Sequence, residues 1–187
     1  MATTADFRNG MVLQMENGLM QIVEFQHVKP GKGGAFVRTK LKNVVTGRVA
    51  EKTFRAGERV DEARLESIDY QYLYRDGDIF HFMDNQTYEQ LAVGSNIIGD
   101  DAKWLKENTN VQLTFHEGKV ILANIPLFAE LTISQCDPGV QGDRAQGGTK
   151  PATLETGTVI QVPLFLNEAD VIKVDTRTGD YIERVSN

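Results

Sequence analysis

Through most of the chain apolar and polar residues alternate with a period of two, and the alternating runs are cut short by turn pairs at Asn17-Gly18, Asp76-Gly77, Glu117-Gly118 and Thr178-Gly179. Alternation at that period places one set of side chains on each face of a pleated strand. A glycine beside a polar residue supplies the backbone freedom a hairpin turn needs. Long runs with the 3.6-residue period of a helix do not occur. The sequence therefore predicts an all-β protein, and 187 residues of short strands suit two or three small barrels better than one large domain. One helix is expected, over Asp101 to Asn108 (DAKWLKEN), with an acidic start and with Trp104 and Leu105 turned to a core. Strands, one short helix and more strands is the order of a five-stranded OB barrel.

Polar stretches mark the expected boundaries. Arg55 to Glu66 (RAGERVDEARLE) has little core pattern and reads as the connection from a module over residues 1–64 to one over 65–128, and ANIPLFAEL around Pro126 leads into a third over 129–187. No convincing internal repeat and no low-complexity tract is visible. Asp137 to Gly157 is the longest stretch poor in apolar residues, and loops of that length are usually functional or disordered.

A net charge of -6 argues against a generally basic nucleic-acid binder, DNA included. That charge is unevenly spread, at +4, -6 and -4 over the three modules in turn. Phe25 to Ala50 holds Lys29, Lys32, Arg38, Lys40, Lys42 and Arg48 without a single Asp or Glu. One end of the molecule is thus suited to a polyanion. Cys136 stands alone, which excludes an intramolecular disulfide and disfavours a thiolate metal site, as suits a reducing cytoplasm. With no export signal and no run of about 18 apolar residues, a soluble cytoplasmic protein without membrane partners is expected.

Within the basic end, IVEFQHV and AFVRTKLKNV read as two strands joined by KPGKGG, with Lys32 at the tip. Pro30 stiffens the approach, while Gly31, Gly33 and Gly34 leave the lysine without neighbouring side chains. On the returning strand Arg38, Lys40 and Lys42 share one face with Phe36, and Ala35, Val37, Thr39 and Leu41 share the other. The first set forms a stripe that can meet phosphates. A lysine in a glycine-rich turn is also ordinary surface chemistry. A phosphate-cradling P-loop does not fit, since Lys32 is followed by Gly33 where that motif needs Ser or Thr. No enzyme is expected: His27, His81 and His116 are dispersed, and the paired carboxylates Asp76/Asp78 and Asp100/Asp101 sit in turns. A general single-stranded RNA binder would use Tyr70, Tyr72 and Tyr74 with Phe80 and Phe82 to stack bases. These aromatics fit a barrel interior better, in a module that is acidic.

KPGKGGAFVRTKLKN with EKTFRAGE, then YLYRDGDIFHFMDNQTYEQ, then DPGVQGDRA with TKPATLETGTVIQVPLFL and DVIKVDTRTGDYIERV, together resemble the elongation factor P family of bacteria, in the family's order and over essentially the full length. The resemblance implies an SH3-like (KOW-type) first domain followed by two OB-fold domains, in an L-shaped arrangement similar to a tRNA. It implies a factor that binds the ribosome between the peptidyl and exit sites and relieves stalling at consecutive prolines, without a cofactor or metal. By the same resemblance, Lys29, Pro30, Gly31, Lys32, Gly33 and Gly34 form the loop that approaches the end of the peptidyl-tRNA, and Lys32 is the residue that a lysine-modifying enzyme would modify. Arginine glycosylation is excluded by the lysine. Gly142, Asp143, Arg144 and Ala145 match the loop placed near the exit-site codon of the mRNA, with Arg144 where a small or hydroxyl residue is more usual. The family signature of the third domain is met by Lys150, Ala152, Gly157, Ile160, Val162, Pro163 and Leu166, but Ala169 replaces its last glycine. The paralogous elongation factor P-like protein shares the architecture and is the nearer alternative.

Overall fold

A computed structural model describes residues 2–31, 33–138 and 148–185. The described residues form three sheets, and the all-β expectation holds. The chain packs as two units, one running to Ser67 and including Thr114–Leu122, the other made of Ile68–Leu113 and the remainder from Ala123.

Six strands make the first sheet: β1 (Ala2–Thr3), β2 (Val12–Met15), β3 (Gly18–Val28), β4 (Phe36–Asn43), β5 (Val49–Arg55) and β6 (Arg59–Glu62), in the order β1-β6-β2-β3-β4-β5. Alternate residues of its long β3–β4 hairpin turn inward, so Ile22, Val37 and Leu41 join Phe7, Leu13 and Phe54 in one core. Phe7 meets Phe54 edge to face at 5.3 Å, a favoured aromatic geometry. Strand β6 corrects the expectation of a plain connection over Arg55 to Glu66, since it pairs with both β1 and β2. Only Val60 of that strand is sheltered, so the stretch carries almost no apolar pattern to read.

The second sheet holds β7 (Glu66–Asp76), β8 (Ile79–Asp84), β9 (Gln90–Gly94), β10 (Asn110–His116) and β11 (Lys119–Asn124), ordered β11-β10-β7-β8-β9. At the β10–β11 turn Glu117 and Gly118 both take positive φ, 49° and 76°, as a type I′ hairpin requires. The expected helix is displaced toward the N-terminus: one α-turn at Ser95–Ile98 passes into a 3-10 turn at Gly99–Trp104, and Leu105 is already extended. Gly99, at φ 63°, ends the α-turn, and burial of Ile98 and Trp104 fixes where the chain turns inward. Trp104 and Leu105 do face a core, as expected. A bulge between Tyr72 and Tyr74 breaks the alternation of β7. Tyr70, Tyr72, Phe80 and Phe82 are buried, whereas Tyr74 is 47% exposed and stacks on His81 at 4.5 Å.

In the third sheet β12 (Phe128–Cys136), β13 (Thr149–Leu154), β14 (Val159–Pro163), β15 (Val171–Asp175) and β16 (Tyr181–Arg184) follow the order β14-β13-β12-β15-β16. Leu131, Ile133, Ala152, Leu154, Val162, Leu166, Ile172 and Val174 build its core together with Trp104. Strand β13 lies inside the stretch that reads as a long loop, and Lys150, Ala152 and Leu154 are its buried positions.

One turn recurs in all three sheets, although the sequence shows no convincing repeat. It begins at Asn43, Asp84 and Asp175, each followed three residues later by Thr46, Thr87 and Thr178. In each case the N–H of the fourth residue on (Gly47, Tyr88, Gly179) donates to the carbonyl of the first, at 2.9, 3.0 and 2.8 Å. The first residue's own N–H donates to the fifth (Arg48, Glu89, Asp180), at 2.8, 2.9 and 2.9 Å. Its side-chain oxygen accepts main-chain N–H groups within the turn, and the threonine hydroxyl accepts the N–H two residues on. The fourth residue is left-handed throughout, with φ 70°, 62° and 79°. The N–H groups of Thr87 and Gln86 hold the Asp84 carboxyl below its ordinary range. Arg177, through its guanidinium and its N–H, holds that of Asp175 at about 2.

Candidate nucleic-acid interface

Register fixes the base of the projecting loop: Val28 of β3 pairs with Phe36 of β4, leaving residues 29–35 between them. Lys29, Pro30, Gly31, Gly33 and Gly34 are all exposed. Gly33 has φ 115°, a conformation that side chains disfavour, and a Cβ built there stands 3.8 Å from Pro30 Cγ. Around Gly31 and Gly34 nothing lies within 4 Å of such a Cβ. The loop is thus thin, as the glycines predict. Lys32, its expected tip, lies outside the described residues.

Behind the loop, Arg38, Lys40 and Lys42 are exposed while Val37, Thr39 and Leu41 between them are buried. Thr39 tolerates burial because its hydroxyl donates to the Lys52 carbonyl at 2.7 Å. The cross-strand register adds what the linear sequence conceals. Lys40 lies between Glu24 of β3 and Glu51 of β5, with its Nζ 3.7 Å from the Glu24 carboxylate. Arg38 lies between Gln26 and Thr53, and Lys42 between Gln21 and Val49. Neither enters an ion pair among the described residues. The run is free of acid in sequence but not in the sheet, where Glu24 and Glu51 stand just outside its two ends in the chain. Pairing the strands in register would have found them.

Gly142, Asp143, Arg144 and Ala145 also lie outside the described residues. The chain that leads to them is firmly held: buried Lys150 donates from Nζ to the Asp137 carbonyl at 2.6 Å, and Cys136 N donates to Glu168 Oε1 at 3.3 Å. Ala169 takes φ 69°, which explains a glycine at this place in the family signature.

The aromatic set does not offer a stacking platform, because its members other than Tyr74 are buried. His27 meets Phe25 edge to face, His81 stacks on Tyr74, and His116 Nδ1 lies 3.2 Å from the Arg64 carbonyl, so each histidine has a separate neighbourhood. No helix of the described residues is long and apolar enough to cross a membrane.

Comparison with known proteins agrees with the sheets. Family models described as the elongation factor P KOW-like domain, the elongation factor P OB domain and the elongation factor P C-terminal region match residues 3–60, 65–123 and 129–184. The chain is 58% identical over 187 residues to elongation factor P of Corynebacterium jeikeium and to that of Corynebacterium diphtheriae, with 100% of both chains covered in each case. With elongation factor P of Kocuria rhizophila the identity is 54% over 186 residues, again covering 100% of each. Among solved structures, translation initiation factor 5A from Methanococcus jannaschii superposes with a TM-score of 0.52 at 23% identity, over 67% of this chain and 90% of that one. A translation initiation factor 5A family protein from Naegleria fowleri gives 0.55 at 14% identity, over 66% and 96%. At such identities these two show a shared fold.

Proposed function

This chain belongs to the elongation factor P family and is a translation elongation factor, and we propose that it acts on the ribosome between the peptidyl and exit sites, promoting peptide-bond formation at consecutive prolines. The observation that carries this reading is a thin, exposed glycine loop set directly ahead of a one-faced basic stripe. Proline is a secondary amine with a fixed φ, so a proline run holds the reacting ends away from an attack geometry. Restricting the end of the peptidyl-tRNA can recover several kcal/mol of that positional deficit without any proton transfer by the factor. Lys32 supplies charge and reach against the tRNA, extended where a lysine-modifying enzyme has acted on it. Arg38 and Lys42 anchor the domain on phosphates, and Lys40, already paired with Glu24, contributes less. Residues 142–145 approach the exit-site codon. The factor works in the cytoplasm and needs no cofactor.

The test is synthesis of a reporter with three consecutive prolines in a reconstituted bacterial system, without the protein, with it, and with Lys32→Ala. Stimulation that Lys32→Ala abolishes while ribosome binding persists is expected. Full activity of Lys32→Ala would remove Lys32 from the mechanism. Absence of stimulation, even by protein purified from its native host with any modification in place, would overturn the reading.

A further inference from the structure

We propose that Thr4 is a positioning residue for the glycine loop, its buried hydroxyl setting how fast the factor acts once it is bound; the proposal rests on the reading of Lys32 above. Thr4 is 1% exposed and opens the 3-10 turn Thr4–Asp6, directly after the short strand β1. Its hydroxyl works in both senses, accepting the Gly57 N–H at 2.8 Å and donating to the Arg55 carbonyl at 3.3 Å. Thr4 N donates to the Glu58 carbonyl at 3.0 Å. One buried residue thereby holds the whole turn between β5 and β6, more than fifty residues away in the chain.

The core does not fix that turn. Arg55, Ala56, Gly57 and Glu58 are all exposed, and none belongs to the core of the first sheet. The turn closes on itself through Glu58 N on the Arg55 carbonyl at 3.1 Å and Arg55 N on Glu58 Oε2 at 2.8 Å, with Gly57 left-handed at φ 79°. A further main-chain bond leaves it for the loop: Ala56 N donates to the Ala35 carbonyl at 3.0 Å. Ala35 is the last loop residue before Phe36, which itself pairs with Arg55. An unbroken line of hydrogen bonds therefore runs from the Thr4 hydroxyl through the turn into the leg by which the chain returns from the loop.

Lys32 stands three residues before Ala35 in the sequence, and a leg of that length reaches at most about 10 Å. Freedom at the base of such a leg is magnified at its far end. Catalysis by positioning is sensitive to that freedom, since a misplacement of about 1 Å can cost about 100-fold in rate. The basic stripe does not share the dependence, because Arg38, Lys40 and Lys42 are set by the pairing of β4 with β3 and β5. Binding and action are thus separable, with the stripe governing affinity and the Thr4 hydroxyl governing the rate of the bound factor.

The test follows the rate of peptide-bond formation at a proline run against factor concentration. Thr4→Val keeps the shape of the side chain and removes the hydroxyl; it is expected to lower the rate at saturating factor by about 10-fold and to leave the half-saturating concentration unchanged. Thr4→Ser keeps the hydroxyl and should restore the rate. Because Thr4→Val strands the buried Gly57 N–H, it also lowers the melting temperature; Gly157→Ala, which lowers it from the third sheet, should retain the full rate. Asp6 Oδ2 accepts the Thr3 N–H and hydroxyl at 2.8 and 2.9 Å, so Asp6→Ala loosens the same 3-10 turn from an exposed position. It should lower the saturating rate in the same direction, and it decides the question if Thr4→Val does not fold. A full rate in folded Thr4→Val or in Asp6→Ala, a change confined to the half-saturating concentration, or an equal loss in Thr4→Ser or Gly157→Ala would overturn the proposal while leaving the ribosomal function intact. Failure of the unaltered protein to stimulate at all would instead bring down the function on which it rests.

Discussion

Replacing Ala169 by glycine should make the protein more stable, against the usual direction of an alanine-to-glycine change. Ala169 sits at φ 69° in the turn between β14 and β15, where its N–H donates to the Ile133 carbonyl at 2.9 Å. The turn is closed by Asp170 N donating to the Asn167 carbonyl at 3.2 Å and by Asn167 N donating to Asp170 Oδ2 at 2.8 Å. Glycine can keep all three bonds. The left-handed conformation costs a residue with a Cβ about 1–2 kcal/mol, and glycine returns about 0.5–1 kcal/mol of that through the greater freedom of its unfolded chain. Ala169 is exposed, so its methyl group contributes almost no burial to offset the gain. The midpoint of that balance is a stabilisation of about 0.8 kcal/mol, or roughly 1.5–3 °C for a chain of this size. Gly157 supplies the mirror-image control in the same sheet, with φ 85° and open space around a built Cβ, so Gly157→Ala should lose a similar amount. Differential scanning calorimetry of both variants reads the same transition with opposite signs. A melting temperature that falls in Ala169→Gly, or stays unchanged while Gly157→Ala falls, would refute the strain argument.

The Asp175 carboxyl is held at about 2, below its ordinary 3.8, so the stability it contributes is complete above pH 4 and disappears as the pH falls from 4 toward 2. Melting temperatures across that window should drop in the unaltered protein and flatten in Asp175→Asn; identical curves would deny Asp175 the role. Arg38→Gln and Lys42→Gln should each reduce the salt slope of ribosome binding by about 1. Lys40→Gln should change it less, because Glu24 already pairs with the lysine, and a slope lowered equally by all three would contradict the register argument. In the loop, Gly33→Ala should lower stimulation at proline runs and, since φ 115° strains a residue with a Cβ, lower the melting temperature as Gly157→Ala does, while Gly34→Ala should be tolerated. Equal losses in the two variants would show that Gly33 is not the position that shapes the loop.

Much of this fold was legible from alternation alone, and the failures have physical causes. Parity in the strand puts Val37 and Leu41 inside, and they are inside. Tyr74 departs from the interior that its parity with Tyr70 and Tyr72 suggests, because a bulge adds one residue to β7 and parity cannot anticipate a slip of one. Strand β6 leaves no pattern in the sequence, because its pairing uses backbone groups that every residue carries while its side chains are nearly all exposed. The helical segment begins earlier than Asp101 because two successive short turns carry no sustained period in the sequence. At the interface, the exposed stripe on β4 followed from the sequence, but the acid on either side of Lys40 depends on which residues lie opposite. The recurrent turn leaves no visible sequence repeat because its geometry needs only an Asn or Asp, a threonine and a residue that accepts positive φ.

Trp104 is the only tryptophan in the chain, 3% exposed in the core of the third sheet, with an indole N–H that finds no partner among the described residues. Its fluorescence should therefore be blue-shifted in the native protein and move to the red when that core opens. The same indole borders the turn after β15, since a Cβ at Gly179 would lie 3.4 Å from its Cζ2 atom. Acid titration of Asp175 should consequently be visible in its emission. The first six strands contain no tryptophan, so comparing emission with circular dichroism separates the opening of one packed unit from the loss of the whole structure without introducing any label.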